Sequence, residues 1–179
     1  MTLAKAKMII QSSVVITKSN VFTQTFANIF NLINNRSNVP DPNDSTGDRK
    51  FVYTREPNFM SDNFEGYPVI YFDERRYTQK KKTADGTKAF VTDEIKIIVM
   101  SQDKHADSSG DPSGLDTLNS ISDYIIEILN NKTNSMTLRN NGLSNKEFNS
   151  VDFDWGEQDG KKVFKRDFPL MFNSMRSVA

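Results

Sequence analysis

Two short stretches, YPVIYFD (residues 67–73) and EIKIIVM (residues 94–100), constrain the fold more than anything else in the chain. Both are rich in β-branched and aromatic residues and have strand length, and the first has a proline at its entry. Side chains alternate across a strand. Val69 and Tyr71 therefore oppose Ile70 and Phe72, while Ile95, Ile97 and Val99 oppose Ile98 and Met100. A strand that is apolar in both directions belongs to a sheet covered on both faces.

Two amphipathic segments can cover one of those faces. In NVFTQTFANIFNLINNR, Phe22, Phe26, Ile29 and Ile33 share a helical face that Phe30 extends, with Ser19 or Asn20 as N-cap and an end near Asn34 or Asn35. Between residues 114 and 130, Leu115, Leu118, Ile121, Ile125 and Ile128 line one face, with Asp116, Asn119, Asp123 and Glu127 elsewhere. Ser113 followed three residues later by Asp116 has the spacing of a capping box. The expectation is that both helices pack on one face, burying Leu118, Ile121 and Ile125 with Phe26 and Ile29. The other face then needs the C-terminal hairpin, the N-terminal segment or another subunit.

The remaining segments fit around this centre. Residues 1–19 read as an N-terminal arm or extra element, and residues 37–66 as a long loop region rich in Pro, Gly, Asn and Asp around a short KFVYTR strand. RRYTQKKKTADGTKAFVTDEIKIIVMS reads as a long two-stranded arm turning at Asp85–Gly86. A short strand is expected at Met136–Arg139. A closing hairpin follows, with Val151, Phe153 and Trp155 before an Asp159–Gly160 turn and Phe164, Phe168, Leu170 and Phe172 after it. The predicted fold is a single α/β (α+β) domain over residues 1–179. It has a mainly antiparallel sheet, two principal helices on one face and a long protruding β-hairpin.

A chain of 179 residues can bury such a core without staples. Lys plus Arg equals Asp plus Glu, at 23 each, so no net field draws the chain to nucleic acid or membrane. The absence of cysteine removes disulfides, thiolate metal sites and cysteine nucleophiles, and fits a reducing compartment. The apolar patches of MTLAKAKMIIQSSVVITKS are too short and interrupted for a signal peptide or a membrane span. A protein assembled in the cytoplasm is expected.

Three clusters carry candidate chemistry. Asp103, His105, Asp107 and Asp111 lie between the strand and the second helix, with Ser101, Ser108 and Ser109 nearby. Their spacing is not that of a calcium loop, and His105 is the chain's one histidine, which leaves nothing to complete a nitrogen-ligated zinc site. No sequence context supports a strained nucleophile. The simpler reading is a turning and capping connection, with no catalytic, metal or cofactor residues. Asp152, Asp154, Glu157 and Asp159 form an acidic edge whose alternation with Phe153 and Trp155 suits the solvent face of a strand. Arg75, Arg76, Lys80, Lys81 and Lys82, with Tyr77 among them, form the densest basic patch. Three readings stand for it: a nucleic-acid contact with Tyr77 stacking, a solvated hairpin tip, or an arm meeting an acidic surface such as that around Asp152 and Asp154 on a neighbour.

The order of NVFTQTFANIFNLI, YPVIYF, the long polar hairpin, IKIIVMSQD, GLDTLNSISDYIIEIL and VDFDWGEQDGKKVFKRDF resembles the tail terminator, or tail-completion (head–tail joining), proteins of long-tailed bacteriophages. The resemblance covers about residues 20 to 172 and is one of order and pattern. It implies a structural virion protein, not an enzyme, without a cofactor. It also implies a ring, usually a hexamer, that caps the tail tube, stops its polymerisation and joins it to the head connector or neck protein. DNA would only pass through the lumen, and no membrane would be involved. The protein would be assembled in the host cytoplasm and sit in the tail or neck of the virion. A nucleic-acid-binding accessory protein using the basic hairpin, or another neck component, is the alternative.

Overall fold

The computed structural model describes residues 26–82, 88–103, 113–140, 142–146 and 153–177, and gives the backbone alone for 74–82, 88–91, 144–145, 153 and 174–177. The expected N-terminal arm, its N-cap, Phe22, Val151 and the Asp85–Gly86 turn lie outside the described residues. The fold is α+β. Helix α1 spans residues 26–34. Next come β1 (Val52–Tyr53), β2 (Val69–Lys82), β3 (Lys88–Gln102), α2 (Gly114–Asn130), α3 (Lys132–Asn140), β4 (Leu143–Lys146), β5 (Phe153–Gln158) and β6 (Lys161–Ser177). The sheet is mixed, in the order β1-β2-β3-β6-β4, with β5 also on β6. β1 runs parallel to β2, while β2–β3, β3–β6, β4–β6 and β5–β6 are antiparallel.

The register divides the strands as their alternation requires. Ile70, Phe72, Ile95, Ile97, Val99, Phe168 and Leu170 share one face and form the main core with Ile29, Ile33, Leu118, Ile121, Ile125 and Leu129. Phe26 packs edge-on against Phe72, with ring centres 5.2 Å apart. Fully burying one aliphatic side chain of this kind is worth about 1.5–3 kcal/mol, so this layer dominates the stability. α2 starts where its cap directs it. Ser113 Oγ accepts from Asp116 N–H at 3.1 Å, and the Asp116 carboxylate accepts from the Ser113 hydroxyl at 2.8 Å. At its other end α2 has no basic residue in the last turn. Lys146 of β4 supplies one, donating to Leu129 O and Asn130 Oδ1 at 2.8 Å each. Burial, and secondarily Arg139, lowers the Lys146 pKa.

Three features differ from the sequence expectation. Met136–Arg139 is helical, within α3, where a strand was expected. Asn131 Oδ1 accepts from Thr133 N–H at 3.0 Å, which starts a helix anchored by the one buried residue Leu138. The arm is three-stranded rather than two-stranded, because β6 continues along β3 as far as Lys88↔Ser177. Pro169 sits in a strand with neighbours on both sides. On the far side of β6, β5 pairs end at Arg166 and β4 pairs begin at Leu170, so the missing N–H falls in a gap in the described ladder.

The last difference is the cover on the second sheet face, where Val69, Tyr71 and Ile98 cluster with Tyr53. The loop read as polar provides it: Phe59, Phe64 and Tyr67 pack on this cluster, with Phe59 and Phe64 edge-to-face at 5.1 Å. A buried ionic brace holds that loop in place. The Asp41 side chain has no exposed surface and receives Arg49 Nη1 at 2.6 Å and Arg36 Nη1 at 3.3 Å. Arg49 also donates to the carbonyls of Glu65, Gly66 and Pro68, which ties residues 41–49 to the strand entry. Asp44 gathers Thr46 Oγ1 at 2.6 Å and the N–H of Arg49 at 2.6 Å. These two contacts, with the backbone N–H groups of Thr46 and Gly47, hold its carboxyl well below the usual carboxylate range.

Candidate interaction surface

Arg75, Arg76, Tyr77, Lys80, Lys81 and Lys82 all lie on β2. Arg75 is paired with Glu94, Arg76 with Asp93 and Tyr77 with Thr92, and the register then shifts so that Lys81 faces Phe90 and Lys82 faces Ala89. Directly opposite residues on antiparallel strands share a face. The two arginines therefore stand across from carboxylate positions of their own chain, and both Asp93 and Glu94 are buried. Lys80, in the shifted segment, and Lys81 and Lys82 have no carboxylate opposite them in the register. The basic patch thus splits into an inner pair set within the hairpin and an outer lysine cluster.

Asp152 lies outside the described residues. Asp154 is on β5, exposed together with Trp155, Gly156 and Glu157, and the Asp159–Gly160 turn follows. Both turn residues have positive φ, 54° and 71°, the conformation that an Asp-Gly hairpin turn adopts. Trp155 is 60 % exposed although its register partner Phe164 is buried. Its only described ring neighbour of opposite character is Lys162, whose Nζ lies 5.9 Å from the ring centre.

The fold does not bring the basic and acidic groups together within one chain. β3 and β6 separate β2 from β5. Asp154 is level with Lys165 and Met100, whereas Lys81 is level with Phe90. The ten residues from 90 to 100 correspond to roughly 33 Å along the strand. The outer lysines and the acidic strand lie towards opposite ends of the sheet.

His105, Asp107, Ser108, Ser109 and Asp111 lie outside the described residues, but both ends of their connection are described. Asp103 Oδ1 accepts from Gly114 N–H at 2.8 Å, so this carboxylate closes the base of the connection. A Cβ at Gly114 would come within 2.7 Å of the backbone of Gln102 and Asp103, which explains a glycine as the first residue of α2. Ser101 is buried under the same junction. Among the described residues, no three His, Cys, Asp or Glu side chains are placed to hold a metal ion, and no helix is long and apolar enough to cross a membrane.

Two clefts flank the 54–56 segment. One, of about 680 Å³, is lined by Phe26, Arg55, Tyr71, Asp73 and Lys165 among others. The second, of about 630 Å³, is lined by Lys50, Tyr53, Arg55, Glu56, Asn58 and Phe64 among others. Burial, and secondarily Glu56, pushes up the Tyr71 phenol, and burial also raises Tyr53. Among the described residues, neither lining contains a histidine that could act as base. No family model matches the chain, and no curated protein is similar to it.

Two features were not legible in the sequence. The Arg36–Asp41–Arg49 brace links residues up to 13 apart in a stretch that reads only as turn-forming. The separation of Arg75 and Arg76 from the outer lysines depends on the β2–β3 register. Counting out from Asp85–Gly86 would set Arg75 opposite Lys96 and Arg76 opposite Ile95; the register shift between Tyr77 and Lys81 sets them against Glu94 and Asp93 instead.

Proposed function

We propose that the protein is a structural component of a phage virion, of the tail-terminator kind. Its copies join into a ring, a hexamer, that caps the tail tube, stops its polymerisation and joins it to the head connector or neck protein. DNA passes through the lumen. The ring is assembled in the host cytoplasm and resides in the tail or neck. It works by binding and geometry, with no reaction catalysed and no cofactor.

The observation that carries this proposal is the order of the elements. Helix α1, the β2–β3 hairpin, the junction from β3 to α2 and the closing β5–β6 hairpin follow one another as in the proteins the sequence resembles. Helix α3 is an addition to that pattern. The outer lysine positions of β2 and the exposed strand β5 lie towards opposite ends of the sheet; a contact between two such distant surfaces joins copies head-to-tail, and head-to-tail contacts close into rings when the rotation per copy divides a full turn.

The test is tube length. Tail tube protein polymerising in the presence of this protein should give tubes capped at one end and arrested in growth, as seen by electron microscopy. Tubes that grow unchanged, with no density at their ends, would refute the proposal. Tight, steeply salt-dependent DNA binding by the free chain would favour the nucleic-acid reading of the basic hairpin instead.

A further inference from the structure

β1 is only two residues long, and its pairing with β2 ends at Tyr53↔Tyr71. The chain then leaves the sheet, and from Phe72 onward β2 has no second ladder partner on that side among the described residues. Backbone groups alternate in direction along a strand. Ile70 N–H donates to Phe51 O at 3.0 Å, so the backbone groups of Phe72 and Glu74 also point outward from this edge. The cleft of about 680 Å³ runs along it. Tyr71, Phe72 and Asp73 line the cleft in succession although their side chains alternate between the sheet faces, and residues 54–56 form the other wall. On the helix side Phe26 and Phe72 make an apolar wall. On the other side stands Tyr71, which is 5 % exposed and whose hydroxyl makes no hydrogen bond among the described residues. Burial keeps this phenol protonated, so it is a donor without an acceptor. Two cations, Arg55 and Lys165, and two carboxylates, Glu56 and Asp73, balance one another in the lining.

We propose that this cleft takes an extended, uncharged peptide segment of a partner protein, which adds to the outer edge of β2 as a further strand. The edge selects a peptide, because outward backbone groups are satisfied by another main chain. The balanced lining selects an uncharged one. A phosphate would meet Glu56 and Asp73, and Lys165 is already held by Asp167 at 3.4 Å. A basic segment would meet Arg55 and Lys165. Side chains of an added strand alternate across the sheet. One therefore falls against the Phe26–Phe72 wall and its neighbour on the Tyr71 side. The fitting segment alternates apolar residues with amide or hydroxyl residues, one of which accepts from the Tyr71 hydroxyl. The volume is within the range of ligand-sized clefts. This site is distinct from the contacts that would close a ring, and it stands without them.

The test titrates the full chain with short capped peptides in which valine or leucine alternates with glutamine, asparagine, serine or threonine, followed by nuclear magnetic resonance. Saturable shifts are expected at the amides of Phe72, Asp73 and Glu74, with slowed hydrogen exchange at Glu74. Only every second amide of an added strand faces the edge. N-methylation of one alternate set of peptide amides should therefore abolish binding, and N-methylation of the other set should leave it. Tyr71→Phe should weaken binding roughly three- to tenfold, the scale of one hydrogen bond. It should not lower the unfolding midpoint, because the hydroxyl removed has no partner in the free chain. No shift at residues 72–74 with any of these peptides, equal loss from both N-methylated sets, or tighter binding when lysine or glutamate fills the polar positions would overturn the proposal. Tyr71→Phe that binds as the wild type does, or that lowers the midpoint, would overturn the part assigned to the hydroxyl.

Discussion

Replacing Asp41 tests the structural account most sharply, because so much of the loop layer converges on it. Its side chain is fully buried, Arg49 is 12 % exposed and Arg36 is 29 % exposed. Asp41→Asn keeps the shape and removes the charge, leaving the Arg49 guanidinium held only by the carbonyls of Glu65, Gly66 and Pro68. Breaking a buried pair by removing one partner costs about 3–5 kcal/mol. Partial access of water to Arg36 moves the expectation to the lower end of that range. For a chain of this length about 1 kcal/mol shifts the melting midpoint by roughly 2–4 °C, so a fall of roughly 6–12 °C is expected. Thermal and urea unfolding followed by circular dichroism measure it. Arg49→Met leaves Asp41 with Arg36 as its one remaining cation and should cost somewhat less, and the double variant should cost clearly less than the sum, since the two changes remove the same ion pair. Single variants that each cost under about 1 kcal/mol, or that add without coupling, would refute the brace as the tie between residues 41–49 and the strand entry.

Three further outcomes are expected. Leu118→Ala or Ile125→Ala, both fully buried between α2 and the sheet, should each cost about 2–5 kcal/mol in urea unfolding. Gly114→Ala should destabilise more than Ser113→Ala, whose lost cap is worth about 0.5–2 kcal/mol, because the new methyl meets backbone at 2.7 Å. Asp44 sets an acid limb. Its folded pKa is depressed below the ordinary 3.8, so its contribution is complete above that value and is lost as pH falls through the lower folded value. The stability difference between wild type and Asp44→Asn should therefore hold steady from neutral pH down to about 5 and shrink below about 4.

The parts of the fold that could be read from sequence were those in which local pattern and tertiary demand agree. The 3.6-residue repeat of Leu118, Ile121 and Ile125 and the Ser113 cap set α2, and the doubly apolar β2 and β3 segments set the sheet. The misreadings arose where a few long-range contacts override local composition. Leu138 alone anchors α3 in a stretch of Asn, Thr and Ser that carries no clear period. Phe59 and Phe64 cover the second face from a segment that is otherwise polar. In the candidate surface, the basic and acidic clusters were visible as composition. Their placement towards opposite ends of one sheet, and the division of the basic cluster by Asp93 and Glu94, follow only from strand order and register.

The central claim, that copies of this chain close on one another through unlike surfaces, is tested most directly by the mass of the purified full chain under native conditions as concentration and salt are varied. A single discrete ring, a hexamer, should form, lose subunits as salt rises and show no open-ended ladder of larger species. A monomer at every concentration, or a dimer unaffected by salt, would contradict it.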